Sequence, residues 1–120
     1  MTTIFCDIDG TLLYQSNQIP YDRHTTVLPG VIKRTYEWAQ NDYTIILTTG
    51  RKESEREKTV QQLDKHGILY DKLIMGIRSG KRVLVNDIAK KGDSPKAYAI
   101  NVVRNQGLEA VDLERMMNNK

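Results

Sequence analysis

Apolar positions along the chain fall into short runs separated by longer polar stretches. Ile4, Phe5 and Cys6 form the first run, which resumes at Ile8 beyond Asp7. A run of this kind predicts a buried strand of a parallel sheet. Residues 10–26 mix Gln, Asn, Ser, Tyr and Pro20 without a period, and read as a loop with a tight hairpin. Val31, Ile32, Thr35, Tyr36 and Ala39 then draw one helical stripe, with Pro29 suited to its first turn and Trp38 off the stripe centre. Asn41 and Asp42 supply the turn chemistry that ends it. Residues 43–48 are β-rich and nearly all apolar, which predicts a second buried strand.

Residues 51–65 are dense in charge. Glu53 with Arg56 and Glu55 with Lys58 stand three apart, as on a solvated helix face, and Gly67 suits the C′ stop. Leu73, Ile74 and Met75 predict a third strand closed by Gly76, and Val83, Leu84 and Val85 a fourth ending at Asn86 and Asp87. Residues 97–103 read as a fifth strand through Ile100, Val102 and Val103, with a helix start after Ser94 and Pro95 as the alternative. Residues 108–117 read as a short helix, and 118–120 as a fraying end. Strands alternating with helices predict an α/β domain: a three-layer, Rossmann-like, mostly parallel sheet.

Composition narrows this picture. At 120 residues the chain reads as one domain spanning 1–120, without a large substrate-binding module of its own. With 7% aromatic residues, the core must rest on Ile, Leu and Val. No stretch approaches the ~20 apolar residues of a membrane span. Asp7 and Asp9 interrupt the only early apolar run, so no signal peptide is expected. The single cysteine, Cys6, excludes an intrachain disulfide and suits the cytoplasm. A net charge of +3 is too mild to argue by itself for nucleic acid. Residues 71–104 are locally more basic, with eight Lys and Arg against three acids. If they rim a site, they draw an anionic substrate to it.

Chemistry gathers at the expected strand ends. Asp7 and Asp9 stand two apart after the first strand, followed at once by Gly10 and Thr11. Open α/β sheets bind ligands beyond the carboxyl ends of their strands. Two carboxylates that close repel unless a cation or a proton offsets them, and Mg²⁺ suits hard oxygen ligands beside a phosphate. Thr48, Thr49, Gly50 and Arg51 follow the second strand and offer hydroxyl, backbone N–H and guanidinium groups to a phosphate. Asn86 and Asp87 offer further oxygen ligands at the end of the fourth.

Asp7-Ile8-Asp9-Gly10-Thr11-Leu12 resembles the DxDGTL first motif of the haloacid dehalogenase superfamily of phosphatases. Thr49 resembles that family's second motif and Asp87 its acidic fourth, over roughly residues 2–87. The resemblance implies that Asp7 attacks phosphorus, that Asp9 protonates the leaving oxygen and then activates water, and that Thr49 holds the phosphoryl oxygens. It also implies that Asp7, Asp87 and the backbone carbonyl of Asp9 hold Mg²⁺, with Asn86 contributing. Arg78, Lys81 and Arg82 are the candidates for the third-motif base; Lys81 is the chemical match, Arg78 lies nearer the third strand and Arg82 begins the fourth. Two features depart from the pattern: Asn86 stands where a second acid is common, and the loops leave no room for a folded cap. The chain looks like a minimal, capless member, and the general pattern resembles small phosphatases associated with capsule or surface-polysaccharide synthesis, which implies a small phosphorylated substrate such as a sugar phosphate. An open site admits bulky phosphates, so a polynucleotide end is an alternative substrate, and a homo-oligomer is a way to roof the site. A non-catalytic phospho-accepting module is the rival of another class.

Simpler roles stand beside these. Thr49 also suits the N-cap of the following helix, and Asp87 a solvated turn. Arg51 contacts phosphate or pairs with a carboxylate near the site. Cys6 points to the opposite face from Asp7 and reads as a small core residue. His24 and His66 lack metal-ligand spacing, although His24 lies in a loop that borders the site.

Overall fold

The structure is a computed structural model and describes residues 1–16 and 26–118. The chain forms β1 (Thr3–Asp7), α1 (Val31–Gln40), β2 (Thr44–Thr48), a 3-10 turn (Glu53–Glu55), α2 (Arg56–His66), β3 (Lys72–Ile74) and α3 (Leu113–Asn118). The strands make one parallel sheet in the order β1-β2-β3. Asp7 pairs in register with Thr48, and Thr48 with Ile74, so the carboxyl ends of all three strands lie level. This is the expected Rossmann-like α/β arrangement.

Alternation along the strands sorts the two faces of the sheet. Cys6, Ile45 and Leu47 are buried, whereas Phe5 and Ile74 on the intervening positions are exposed. Val31 and Trp38 of α1, Leu63 of α2 and the loop residues Ile8, Leu12, Leu13 and Leu28 complete the core with Leu108 and Val111. Gly67 ends α2 in the left-handed region at φ 72°, as its C′ position predicted.

Four expectations are corrected. The stripe of α1 is rotated: Val31, Arg34, Thr35 and Trp38 are buried, while Ile32 and Tyr36 are exposed. The cause lies at the far end of the chain. Arg34 donates from Nε to the Leu108 carbonyl at 3.2 Å and from Nη2 to the Glu109 carbonyl, drawing residues 107–111 against α1. A Cβ on Gly107 would stand 2.3 Å from the Pro29 oxygen, and one on Gly30 2.5 Å from the Glu109 nitrogen, so both glycines are required by this contact.

The fourth strand is not formed. Val83, Leu84 and Val85 lie in irregular chain at 84%, 62% and 88% exposure. Arg82 turns back onto the Gly80 carbonyl, and Lys96 pairs with Asp87 at 2.6 Å. Three apolar residues between such polar neighbours have no ladder partner among the described residues, and a strand needs both a ladder and a covered face. The fifth strand is also absent. Of residues 97–103 only Val102 packs on the core, while Tyr98, Ile100 and Val103 are exposed and so lack the covered face a strand needs. The final helix is shorter than expected, beginning at Leu113. His24 and Pro20 lie outside the described residues.

Candidate active site

The loop after β1 folds tightly on itself. Thr11, Leu12 and Leu13 N–H groups all point to the Ile8 carbonyl, and Gly10 N–H donates to Leu13 O at 2.7 Å. Gly10 adopts φ 87°, a conformation that glycine tolerates best. This turn sets Asp7 and Asp9 at the strand end. Thr11 Oγ1 donates to Asp7 Oδ2 at 3.3 Å. Asp7 is exposed by area, yet the surrounding chain takes enough water from its carboxyl to raise its pKa. The Thr11 hydrogen bond opposes that rise, the Asp9 charge adds to it, and the Arg82 charge lowers it again. Arg82 is thus the smallest of these influences on Asp7, and Arg78, Lys81 and Arg82 are all exposed on the same stretch.

The loop after β2 is braced from the side. Thr49 N–H donates to Ile74 O, Ile77 N–H to Thr49 O, and Gly76 N–H to Arg51 O, at 2.8–3.0 Å. Gly50 sits so close to Ile77 that a Cβ would stand 2.9 Å from its carbonyl. Thr49 Oγ1 approaches Asp9 Oδ2 at 3.5 Å and accepts the Arg51 N–H at 3.1 Å. The Thr49 and Arg51 N–H groups are thus committed within the protein, while the Thr49 hydroxyl lies beside the carboxylate pair.

Arg51 resolves the choice left by the sequence. It is 1% exposed and grips Asp9 with two parallel hydrogen bonds, Nε to Oδ2 at 3.0 Å and Nη2 to Oδ1 at 2.7 Å. Its Nη1 donates to Thr59 Oγ1 at 3.1 Å and to Gln62 Oε1 at 2.5 Å. Thr59 and Gln62 stand three apart on the buried face of α2. Sequence reasoning passed over both, because they looked like polar residues in a solvated charged helix. Their only signal was the i, i+3 spacing beside Leu63. Arg104 and Asn105 were also missed. The Arg104 stem packs over Gly10, and the Asn105 side chain clasps the Gln15 backbone at 2.8 and 3.1 Å.

The residues expected to hold Mg²⁺ do not converge in this arrangement. Asp87 is exposed and paired with Lys96, and Asn86 lies beside it in irregular chain. Among the described residues, no three His, Cys, Asp or Glu side chains gather to hold a metal.

An aspartate pair and a threonine thus stand at adjacent carboxyl ends of a parallel sheet, the place where open α/β folds bind ligands. Residues 1–93 match the family described as the polynucleotide kinase PNKP phosphatase domain, of haloacid dehalogenase type. The chain belongs to this family of haloacid dehalogenase-type phosphatase domains. Among solved structures, it is similar to a chain in the structure of the Pnkp1/Rnl/Hen1 complex, at 30% identity and TM-score 0.56 over 68% of this chain and 30% of that one. A protein from Vibrio cholerae shares the fold at 23% identity and TM-score 0.63, over 98% of this chain and 94% of that one. The D,D-heptose 1.7-bisphosphate phosphatase from B. bronchiseptica, complexed with magnesium and phosphate, shares it at 22% identity and TM-score 0.50, over 62% of this chain and 49% of that one. The chain thus spans about a third of the Pnkp1/Rnl/Hen1 chain and about half of the heptose phosphatase. No curated protein matches by sequence.

Proposed function

We propose that residues 1–120 form one capless catalytic core that hydrolyses phosphomonoesters through an aspartyl phosphate on Asp7. The observation that carries this reading is the meeting of Asp7, Asp9 and the Thr49 hydroxyl at the level ends of β1 and β2. In the first step Asp7 forms a bond to phosphorus while the ester oxygen leaves, taking a proton from Asp9. In the second, Asp9 accepts a proton from water as that water attacks the phosphoaspartate and frees Asp7. Splitting the displacement lowers each barrier, and the Thr49 hydroxyl donates to a phosphoryl oxygen as charge shifts. Mg²⁺ dependence belongs to the proposal on the family match: Asp7 and the Asp9 backbone carbonyl would hold the ion, which would offset charge on the phosphoryl group.

A small phosphorylated metabolite, such as a sugar phosphate, is the first substrate class, supported by the resemblance to small surface-polysaccharide phosphatases. A polynucleotide end is the second. The family match and the Pnkp1/Rnl/Hen1 chains support it, as does the exposed basic stretch holding Lys81, Arg82, Lys90 and Lys91. No helix of the described residues is long and apolar enough to cross a membrane, and the proposed setting is the cytoplasm. The test is hydrolysis of 4-nitrophenyl phosphate with Mg²⁺ and after EDTA, followed by a panel of sugar phosphates and 3′- and 5′-phosphorylated oligonucleotides. Wild-type activity equal to that of Asp7→Asn would overturn the catalytic reading. A phosphoaspartate that persists for hours would make the chain a phospho-acceptor instead.

A further inference from the structure

Asp9 must present its carboxyl to the leaving oxygen in a fixed plane, yet it sits on a loop rather than on a strand. The holding group is Arg51, whose side chain is fully buried while that of Asp9 is 19% exposed. A buried guanidinium must find acceptors for its donors, or it does not stay buried. Two go to Asp9, and Thr59 Oγ1 and Gln62 Oε1 take the opposite edge. Both acceptors are buried, at 0% and 5% exposure, on a helix packed into the core through Leu63. The chain of contacts therefore runs from the rigid helix α2 through Arg51 to the carboxylate.

We propose that Thr59 and Gln62 are positioning residues for Asp9: they fix the Arg51 fork, and the fork fixes the carboxylate that serves the leaving group. The proposal rests on the role given to Asp9 above. Neither residue touches substrate. Their effect is confined to the step in which the bond from phosphorus to the leaving oxygen breaks and Asp9 gives up its proton to that oxygen. A leaving group of low basicity, such as 4-nitrophenolate, departs with little help from an acid. An alkoxide needs that proton. Misplacing Asp9 therefore penalises alkyl phosphates more than 4-nitrophenyl phosphate.

The decisive variants are Thr59→Val, which keeps the shape of the side chain and removes its hydroxyl, Thr59→Ser, which restores it, and Gln62→Met. For Thr59→Val and Gln62→Met, kcat on an alkyl phosphate should fall by about 10–100-fold with KM within about twofold. The fall on 4-nitrophenyl phosphate should be about tenfold smaller. Thr59→Ser should recover most of the loss. Equal losses on both substrates, or a Val variant with the kcat of the wild type, would overturn the inference. The side-chain Nε–H of Arg51, followed by NMR, reads the network without activity. It should exchange slowly in the wild type and fast in Thr59→Val, and unchanged exchange overturns the inference. Wild-type protein that hydrolyses neither phosphate overturns the proposed activity instead, and the Nε–H signal then decides the network alone.

Discussion

Residues 44–48 and residues 83–87 are both apolar runs ending in polar groups, yet they behave oppositely. β2 lies between β1 and β3, and its Ile45 and Leu47 are buried at 1% and 0% exposure. Val83, Leu84 and Val85 stay in solvent. Apolar content is therefore not what separates them. β2 has hydrogen-bonded partners on both edges and α1 packed nearby, whereas the later run has neither among the described residues. Chemistry follows the same division. Asp7, Asp9 and Thr49 stand on or beside paired strands and are brought together, while Asp87 ends an unpaired run and finds Lys96 instead.

The strongest way to break this contrast is at the site. Asp7→Asn should lower phosphatase turnover by about 10⁴-fold or more while leaving circular dichroism unchanged, whereas Asp87→Asn should lower it far less if the two regions stay apart in solution. Arg51→Met comes next. It removes the buried partner of Asp9 and should lower stability by about 3–5 kcal/mol in urea titration. Charge pairing on the later stretch gives the counterpart: Lys96→Met breaks an exposed pair and should shift stability by less than about 1 kcal/mol. The same apolar truncation then sharpens the comparison directly. Leu47→Ala should cost about 2–5 kcal/mol and Leu84→Ala no more than about 0.5 kcal/mol. Equal costs would show that the later run is packed after all.

Two smaller effects concern β1 alone. The pKa of Asp7 is raised in the folded chain, so protonation favours folding; the associated stability is complete below the ordinary carboxylate range near ~3.9 and is lost as pH rises through the folded value. In buffer without divalent cations, Asp7→Asn should therefore be more stable than wild type at pH 7, with the difference closing as pH falls below 4. Cys6 is the last. Burial, helped by the Asp7 charge, pushes its thiol up to about 12, so a thiol reagent at pH 8 should label it only after unfolding.

Much of the site could be read from residues close together in the chain. Asp7, Asp9 and Gly10 belong to one strand end and its turn, and Thr49 to the next, where strand periodicity and local turn chemistry fix positions without knowledge of the rest. Arg51 was found but its direction was not, because Asp9 lies 42 residues away. Thr59 and Gln62 were hidden for the same reason: a polar residue on a charged helix looks solvated until the cation it serves is placed. The rotated stripe of α1 is a similar case, since Arg34 is buried only by carbonyls 74 and 75 residues further on.

Sequence alone determined the α/β class, the first three strands, both long helices and the aspartate pair with its threonine, because each depends on local periodicity, turn residues or a contiguous motif. Tertiary structure decided which face α1 buries, that Arg51 serves Asp9, that residues 107–111 return to α1, and that residues 83–87 stand apart from the sheet. Those outcomes depend on which distant groups supply partners for buried donors and open ladder edges, and no local pattern carries that information.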